Sequence, residues 1–166
     1  MEQNQELLKK RRRTFHYRKE QISDAQLHDL EAYGISVQSE EQPWYFAVIQ
    51  NQEILDRMAG MTGLNDPFYG APTLIAAFAK DNAVSAVVDT AFALSSMMNE
   101  AVNEGLGTCM ISSLKDLLNH PEHTDLRTLC RVPEGYTCIG SIAIGFPDDD
   151  EEESESQNTS VFTYIR

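Results

Sequence analysis

Positive charge is scarce in this chain. Thirteen Lys and Arg face twenty-six Asp and Glu over 166 residues, a formal net charge of −13, and such a polyanion is repelled by phosphate backbones and anionic lipid. Broad nucleic-acid or membrane-surface binding is thereby excluded. Long apolar runs are missing too. No stretch approaches the roughly 20 residues that span a bilayer, and the chain opens on Met1–Gln5 with no apolar signal segment. The expectation is a cytoplasmic protein. Cysteine is limited to Cys109, Cys130 and Cys138, an odd number with no CxxC pair and no His at a zinc-like interval. The three are expected to be reduced, buried and apolar in role. GxSxG, HExxH and a P-loop are all absent, which removes the commonest hydrolase and nucleotide-triphosphate readings. His120 and His123 flank Pro121-Glu122 and read as surface residues rather than metal ligands.

What is present is enough apolar material, 42% of the residues, for a continuous core. The organisation expected is one domain over residues 1–166, with an acidic loop at 148–158 and a C-terminal strand at 159–166. Seven of the thirteen cations stand in the first twenty residues, whereas Asp148 to Glu153 plus Glu155 put seven acids into eight positions, a self-repelling and core-poor run. Ser23 with Gln26 forms a capping box and Ile22 with Leu27 a hydrophobic staple, which predicts a helix from Asp24 that Gly34 ends. A second helix is predicted from Asp89 as N-cap, apolar at Ala91, Phe92, Leu94, Met97, Met98, Ala101 and Val102, with Gly105 as its stop. Its wide apolar surface suits the middle of a domain or a subunit contact, and Met97–Met98 read as core. Strands are predicted at Trp44–Ile49, Thr73–Ala79, Thr137–Ile144 and Val161–Ile165. Together these give an α+β or mixed α/β domain with one sheet of four or five strands.

Three segments exceed what packing needs. Arg11-Arg12-Arg13-Thr14 could grip a phosphate through charge-assisted hydrogen bonds, or be a solvated helix end. Gln42-Pro43 leads the only Trp, Trp44, straight into an apolar strand. Gly105-Leu106-Gly107-Thr108-Cys109-Met110-Ile111-Ser112-Ser113 reads as a glycine loop that lets main chain approach a ligand.

In this order the segments resemble the nitroreductase family of FMN-dependent oxidoreductases over most of the chain. Arg11–Thr14, Ser23–Tyr33 and Gln42–Ile49 are similar to the family's Arg-rich opening, first helix and QPW-plus-strand. Tyr69-Gly70-Ala71-Pro72 with Thr73–Ile75, Asp89–Gly107, and Val132–Tyr136 through Ile144–Pro147 are similar to its later motifs. The resemblance implies an α+β fold of α/β/α type, with a central mixed, largely antiparallel sheet flanked by helices. It also implies a homodimer with FMN at the interface and C-terminal strand exchange. NAD(P)H would deliver hydride to flavin N5, from which a nitroaromatic, quinone or similar acceptor is reduced. Carried over by position, Arg11, Arg12 and Arg13 would hold the phosphate. Gln42 and Asn65 would lie near the ring or ribityl chain, and Met110, Ile111, Ser112 and Ser113 would face the flavin, with the Ser112 N–H toward N5. Ser36, Val37, Gln38 and Glu40 occupy the places from which the family reaches a neighbouring subunit's flavin. No acid or base side chain is assigned.

The chain departs from the family pattern there: Ser36-Val37-Gln38 and Glu40 replace a Pro-Ser pair and an Asn, Arg13 stands for a small hydroxyl and Phe15 for a cation, and residues 148–155 are acidic where a late cation is common. These departures keep a second reading open, a nitroreductase-like scaffold with weak or lost flavin binding that serves as a flavin-sequestering, interaction or regulatory protein. A plain α/β module whose basic N-terminal arm meets an acidic partner is a third.

Overall fold

The computed structural model describes residues 13–148 together with Val161, Thr163 and Ile165. Helix α1 (Asp24–Ile35) starts where its capping box places it. The Ser23 hydroxyl accepts from the Gln26 N–H, and Gln26 returns a bond to the Ser23 N–H. Ile22 is buried and Leu27 packs against the same cluster, which is the staple. The chain then forms β1 (Trp44–Ile49), α2 (Gln52–Thr62), β2 (Thr73–Lys80), α3 (Ala86–Asn103), β3 (Gly107–Ile111), α4 (Ser113–Asn119), a single 3-10 turn over Pro121–His123, α5 (Thr124–Leu129) and β4 (Tyr136–Gly145).

The strands pair in the order β1-β2-β4-β3, and all three pairings are antiparallel. Parallel pairing among the described residues is confined to an isolated bridge, Arg13 with Thr108. The fold is therefore α+β, as expected. β2 is buried at every position but its last, because helices cover both of its faces. Leu74, Ala76 and Phe78 belong to the cluster shared with α2, α4 and α5. Ile75 and Ala77 belong to the cluster under α1 and α3. Helices α1 and α3 cross closely at Gly34, where a Cβ would come within 2.8 Å of Met97 Cγ. The guanidinium of Arg127, on α5, donates to the carbonyls of Tyr136 (2.6 Å) and Leu118 (3.4 Å) and lies 5.8 Å from the centroid of Phe78. It ties α5 to both β4 and α4.

The structure corrects four boundaries. Helix α3 is capped by Ser85, not Asp89. Asp89 lies in its first turn, where its carboxylate accepts from the Ser85 and Ser39 hydroxyls at 2.8 Å each and complements the positive helix end. The segment from Gly105 to Ser113 is mostly strand, since β3 occupies Gly107–Ile111. Gly105, at φ +71°, supplies the left-handed stop of α3. Gly34 does not end α1: the helix runs on to Ile35 and Ser36 is its C-cap. Of the segment expected as a C-terminal strand, Phe162 and Tyr164 lie outside the described residues, Val161 is in a turn, and Thr163 and Ile165 pair with no strand of this single chain among the described residues.

Candidate functional site

The site grows from β3, which stands at the end of the strand order. Among the described residues, one flank of β3 is occupied only at its start. Arg13 bridges Thr108, and the Thr14 N–H donates to the Thr108 carbonyl at 3.0 Å. Beyond that bridge come Met110, half-exposed in the strand, then buried Ile111, exposed Ser112 and half-buried Ser113. Ile111 and Ser141 fix the strand's end, where the buried Ser141 hydroxyl donates to the Ile111 carbonyl at 3.0 Å. Ser112 is the N-cap residue of α4 and its side chain makes no cap bond. A Cβ on Gly140 would meet Met110 Cε at 3.4 Å, so the thioether arm lies over a strand position with no side chain.

Asn65 is exposed in the turn after α2. That turn reaches the same part of the molecule as Arg13, because Tyr69 meets Phe15 edge-on with ring centroids 5.1 Å apart. Arg13 and Met110–Ser113 thus share the edge of β3, and the turn that carries Asn65 touches the segment 13–18 through Tyr69 and Phe15. Ser36, Val37, Gln38, Glu40 and Gln42 do not join them. They lie between α1 and β1, where Ser39 binds Asp89 of α3 and accepts from the Gln42 N–H, and β1 is the opposite edge of the sheet. Gln42 has φ +45°, a left-handed turn that aims the chain into β1. Arg11 and Arg12, and the acidic run from Asp149 onward, lie outside the described residues.

Two features escape sequence reasoning. The Thr108 hydroxyl is 2% exposed and, among the described residues, has no hydrogen-bond partner. Only the pairing of β3 with the distant Arg13 reveals it. A cleft of about 340 Å³ also runs along β1, lined by Tyr45 to Asn51, Ile54 and Leu129 to Arg131.

The cysteines are buried, as expected. Burial pushes the Cys109 thiol up against a smaller opposing pull from Arg13. It raises Cys130 and Cys138 to about 11, with Arg127 opposing in both cases. Thiolate is the reactive form, so at pH 8 the native protein is expected to resist a disulfide reagent such as DTNB and to release all three thiols on denaturation. Fast labelling of native protein would contradict this burial. The sign for stability follows. Folded-state values above the ordinary thiol value of 9.0 make Cys130 and Cys138 stabilising below pH 9, and that contribution is lost as pH rises toward 11. His120 and His123 stack at 5.1 Å, and the His120 ring accepts from the Glu122 N–H. No group of three or more metal-binding side chains occurs among the described residues, nor is any described helix long and apolar enough to cross a membrane.

A sequence model of the nitroreductase family matches residues 59–146, from α2 through β4. No curated protein sequence matches the chain. Among solved structures, a nitroreductase from Bacteroides fragilis with bound FMN is similar at TM-score 0.85 and 23% identity, over 98% of each chain. A nitroreductase from Desulfitobacterium hafniense, also with bound FMN, superposes at TM-score 0.86 and 20% identity over 100% of both chains. An FMN-dependent nitroreductase from Clostridium difficile reaches TM-score 0.83 at 23% identity, over 98% of this chain and 99% of its own.

Proposed function

The chain belongs to the nitroreductase family, and on that premise we propose that it is an FMN-dependent oxidoreductase taking hydride from NAD(P)H to a nitroaromatic, quinone or similar small acceptor. The observation that carries this reading is the pairing of Arg13 with Thr108, which sets a cation on the same strand edge as Met110–Ser113.

The residues present fit the cofactor. Arg13 is exposed, and the ion pairs given by the described residues, His28–Glu31 and Arg57–Asp125, do not involve it. In a chain of net charge −13, a guanidinium held at a fixed place is a selective contact for a phosphomonoester. Beyond the Arg13 bridge, β3 offers main-chain groups at a sheet edge. The orphaned Thr108 hydroxyl beside that bridge is a group that bound ligand or solvent can satisfy.

Bound FMN supplies the hydride chemistry, which is the cofactor's own. The chain's share is binding and orientation. Arg13, with Arg11 and Arg12, holds the phosphate, and Met110–Ser113 presents main chain to the ring, the Ser112 N–H toward its hydride-accepting nitrogen. None of these four residues titrates, so they position and do not carry protons. Asn65, in the turn whose Tyr69 meets Phe15, is assigned to the ribityl chain.

The reading includes a homodimer whose second subunit brings Ser36, Val37, Gln38, Glu40 and Gln42 to the cofactor. Two surfaces support it. Val87, Val88 and Phe92 on α3 are 59%, 55% and 59% exposed, an apolar patch on a strongly acidic chain. β1 ends the strand order, where a strand can be added, and Val161–Ile165 of a second copy has the composition for one. Phe92→Glu is expected to yield monomers in solution scattering and to weaken FMN retention roughly tenfold or more, as for a central interface residue. Monomers with undiminished FMN affinity would detach the cofactor from the interface. The flavin-weak second reading draws support from Phe15, whose ring is engaged with Tyr69, and from exposed Glu40.

A further inference from the structure

Two buried glycines face each other across the β3–β4 ladder, Gly107 opposite Gly145. Neither has the positive φ that would call for glycine. Space is what calls for it. A Cβ on Gly107 would stand 2.7 Å from Thr14 Cγ2 and 2.8 Å from Thr14 Cβ, and one on Gly145 would stand 2.7 Å from Pro72 Cδ and 3.1 Å from Tyr17 Cδ1. Contacts under 3.0 Å to Cβ or to a proline ring cannot be relieved by rotating a long side chain. The glycine pair therefore makes a notch without side chains, and Thr14 and Tyr17 of the segment 13–18 occupy it together with the Pro72 ring.

The fit is continuous along that segment. Thr14 is 1% exposed and Tyr17 8%. The Thr14 N–H donates to the Thr108 carbonyl at 3.0 Å and the Tyr17 hydroxyl to the Ala143 carbonyl at 3.3 Å. The Arg18 N–H donates to the Phe146 carbonyl at 2.9 Å, and the His16 carbonyl accepts from the Asp148 N–H at 3.0 Å. Arg13 and Phe15, flanking Thr14, are exposed. With Thr14 and Tyr17 seated inward, the outward side chains have no freedom to slide along β3.

We propose that the Gly107–Gly145 notch is the positioning element of the anion grip: Thr14 and Tyr17 key the segment into it, and that keying sets where Arg13 meets a phosphomonoester. The identity of the anion rests on the FMN reading above; the keying does not. Because Gly107 opens β3, the strand that leads on to Met110–Ser113, both ends of the cofactor site are indexed to one strand. Gly107 and Gly145 are thus positioning residues that touch no ligand.

The test uses the full chain. Trypsin cleavage after Arg13 and Arg18, followed by mass spectrometry without FMN, reads how firmly the segment is seated, since cleavage needs local opening. FMN titration, read by quenching of flavin fluorescence, gives affinity. Gly107→Ala is expected to speed cleavage and to weaken FMN binding, each about tenfold or more, as small misplacements of a binding group do. Adding Thr14→Gly to Gly107→Ala empties the clashing space and is expected to bind FMN more tightly than Gly107→Ala alone. Thr14→Ala removes the seated side chain without creating a clash and is expected to shift both readouts the same way, which keeps the test decisive if Gly107→Ala does not fold. Gly60→Ala, in open space on α2, should change neither. Wild-type cleavage rates in Gly107→Ala and Thr14→Ala would overturn the keying, and faster cleavage with unchanged FMN affinity would overturn its role in the grip. Faster cleavage in a protein whose wild type binds no FMN would support the keying and overturn the flavin reading.

Discussion

Phe78→Ala is expected to lower the free energy of unfolding by about 3–5 kcal/mol, the range for truncating a fully enclosed aromatic side chain. Phe78 is 0% exposed and sits in β2, which has a neighbour on both sides, opposite Tyr45 and Cys138. Its ring lies 6.2 Å from that of Tyr45 and under the Arg127 guanidinium. Truncation therefore opens a cavity in the cluster that joins α2, α4 and α5 to the sheet. It also removes the aromatic face from a half-buried cation, though Arg127 keeps its two carbonyl acceptors. Urea unfolding followed by circular dichroism should show a lower midpoint with an unchanged slope. A loss under about 1 kcal/mol would mean that the cluster relaxes into the space and that the ring is not a keystone.

Arg13→Ala is expected to weaken FMN binding about 10- to 100-fold, the cost of one charge-assisted contact to a phosphate, and to leave unfolding of the apo protein unchanged. The two effects separate because the Arg13 side chain is exposed, while the seat of its segment is made by Thr14 and Tyr17. Arg13→Lys, which keeps the charge and loses the planar fork, should fall between the two. Added salt should narrow the gap between wild type and variant. Stability lost in proportion to affinity would assign Arg13 to the fold instead of the grip.

Where the sequence carries a local steric rule, the structure follows it closely. The Ser23–Gln26 box, the glycine stop of α3, and β1 at Trp44–Ile49 are read from neighbours in the chain; Gly34 is no stop, because it serves the close approach of α1 to Met97. Asp89 shows the limit of such rules. It has the chemistry of an N-cap, but Ser85 stands one turn earlier and Asp89 serves the helix end from inside. The short helices α4 and α5 offer too few turns for a period to stand out. β3 is hidden because its glycine suggests a loop, and the reason for Gly107 lies 93 positions upstream at Thr14. The site is less legible than the fold for the same reason. Arg13 and Met110–Ser113 could be named from motifs, but their common edge depends on a pairing between distant segments. The Ser36–Gln42 residues sit on the other flank, away from Arg13 and Met110–Ser113, and only the proposed second subunit would bring them to the site.

The most direct measurement is the visible spectrum of the purified full-length chain after incubation with excess FMN and desalting, recorded anaerobically before and after NADH or NADPH. The account predicts about one retained flavin per chain, bleached by at least one of the two nucleotides and restored by a quinone or nitroaromatic acceptor. A protein that is folded and dimeric yet retains no FMN, or whose bound FMN is untouched by either nucleotide, would contradict it.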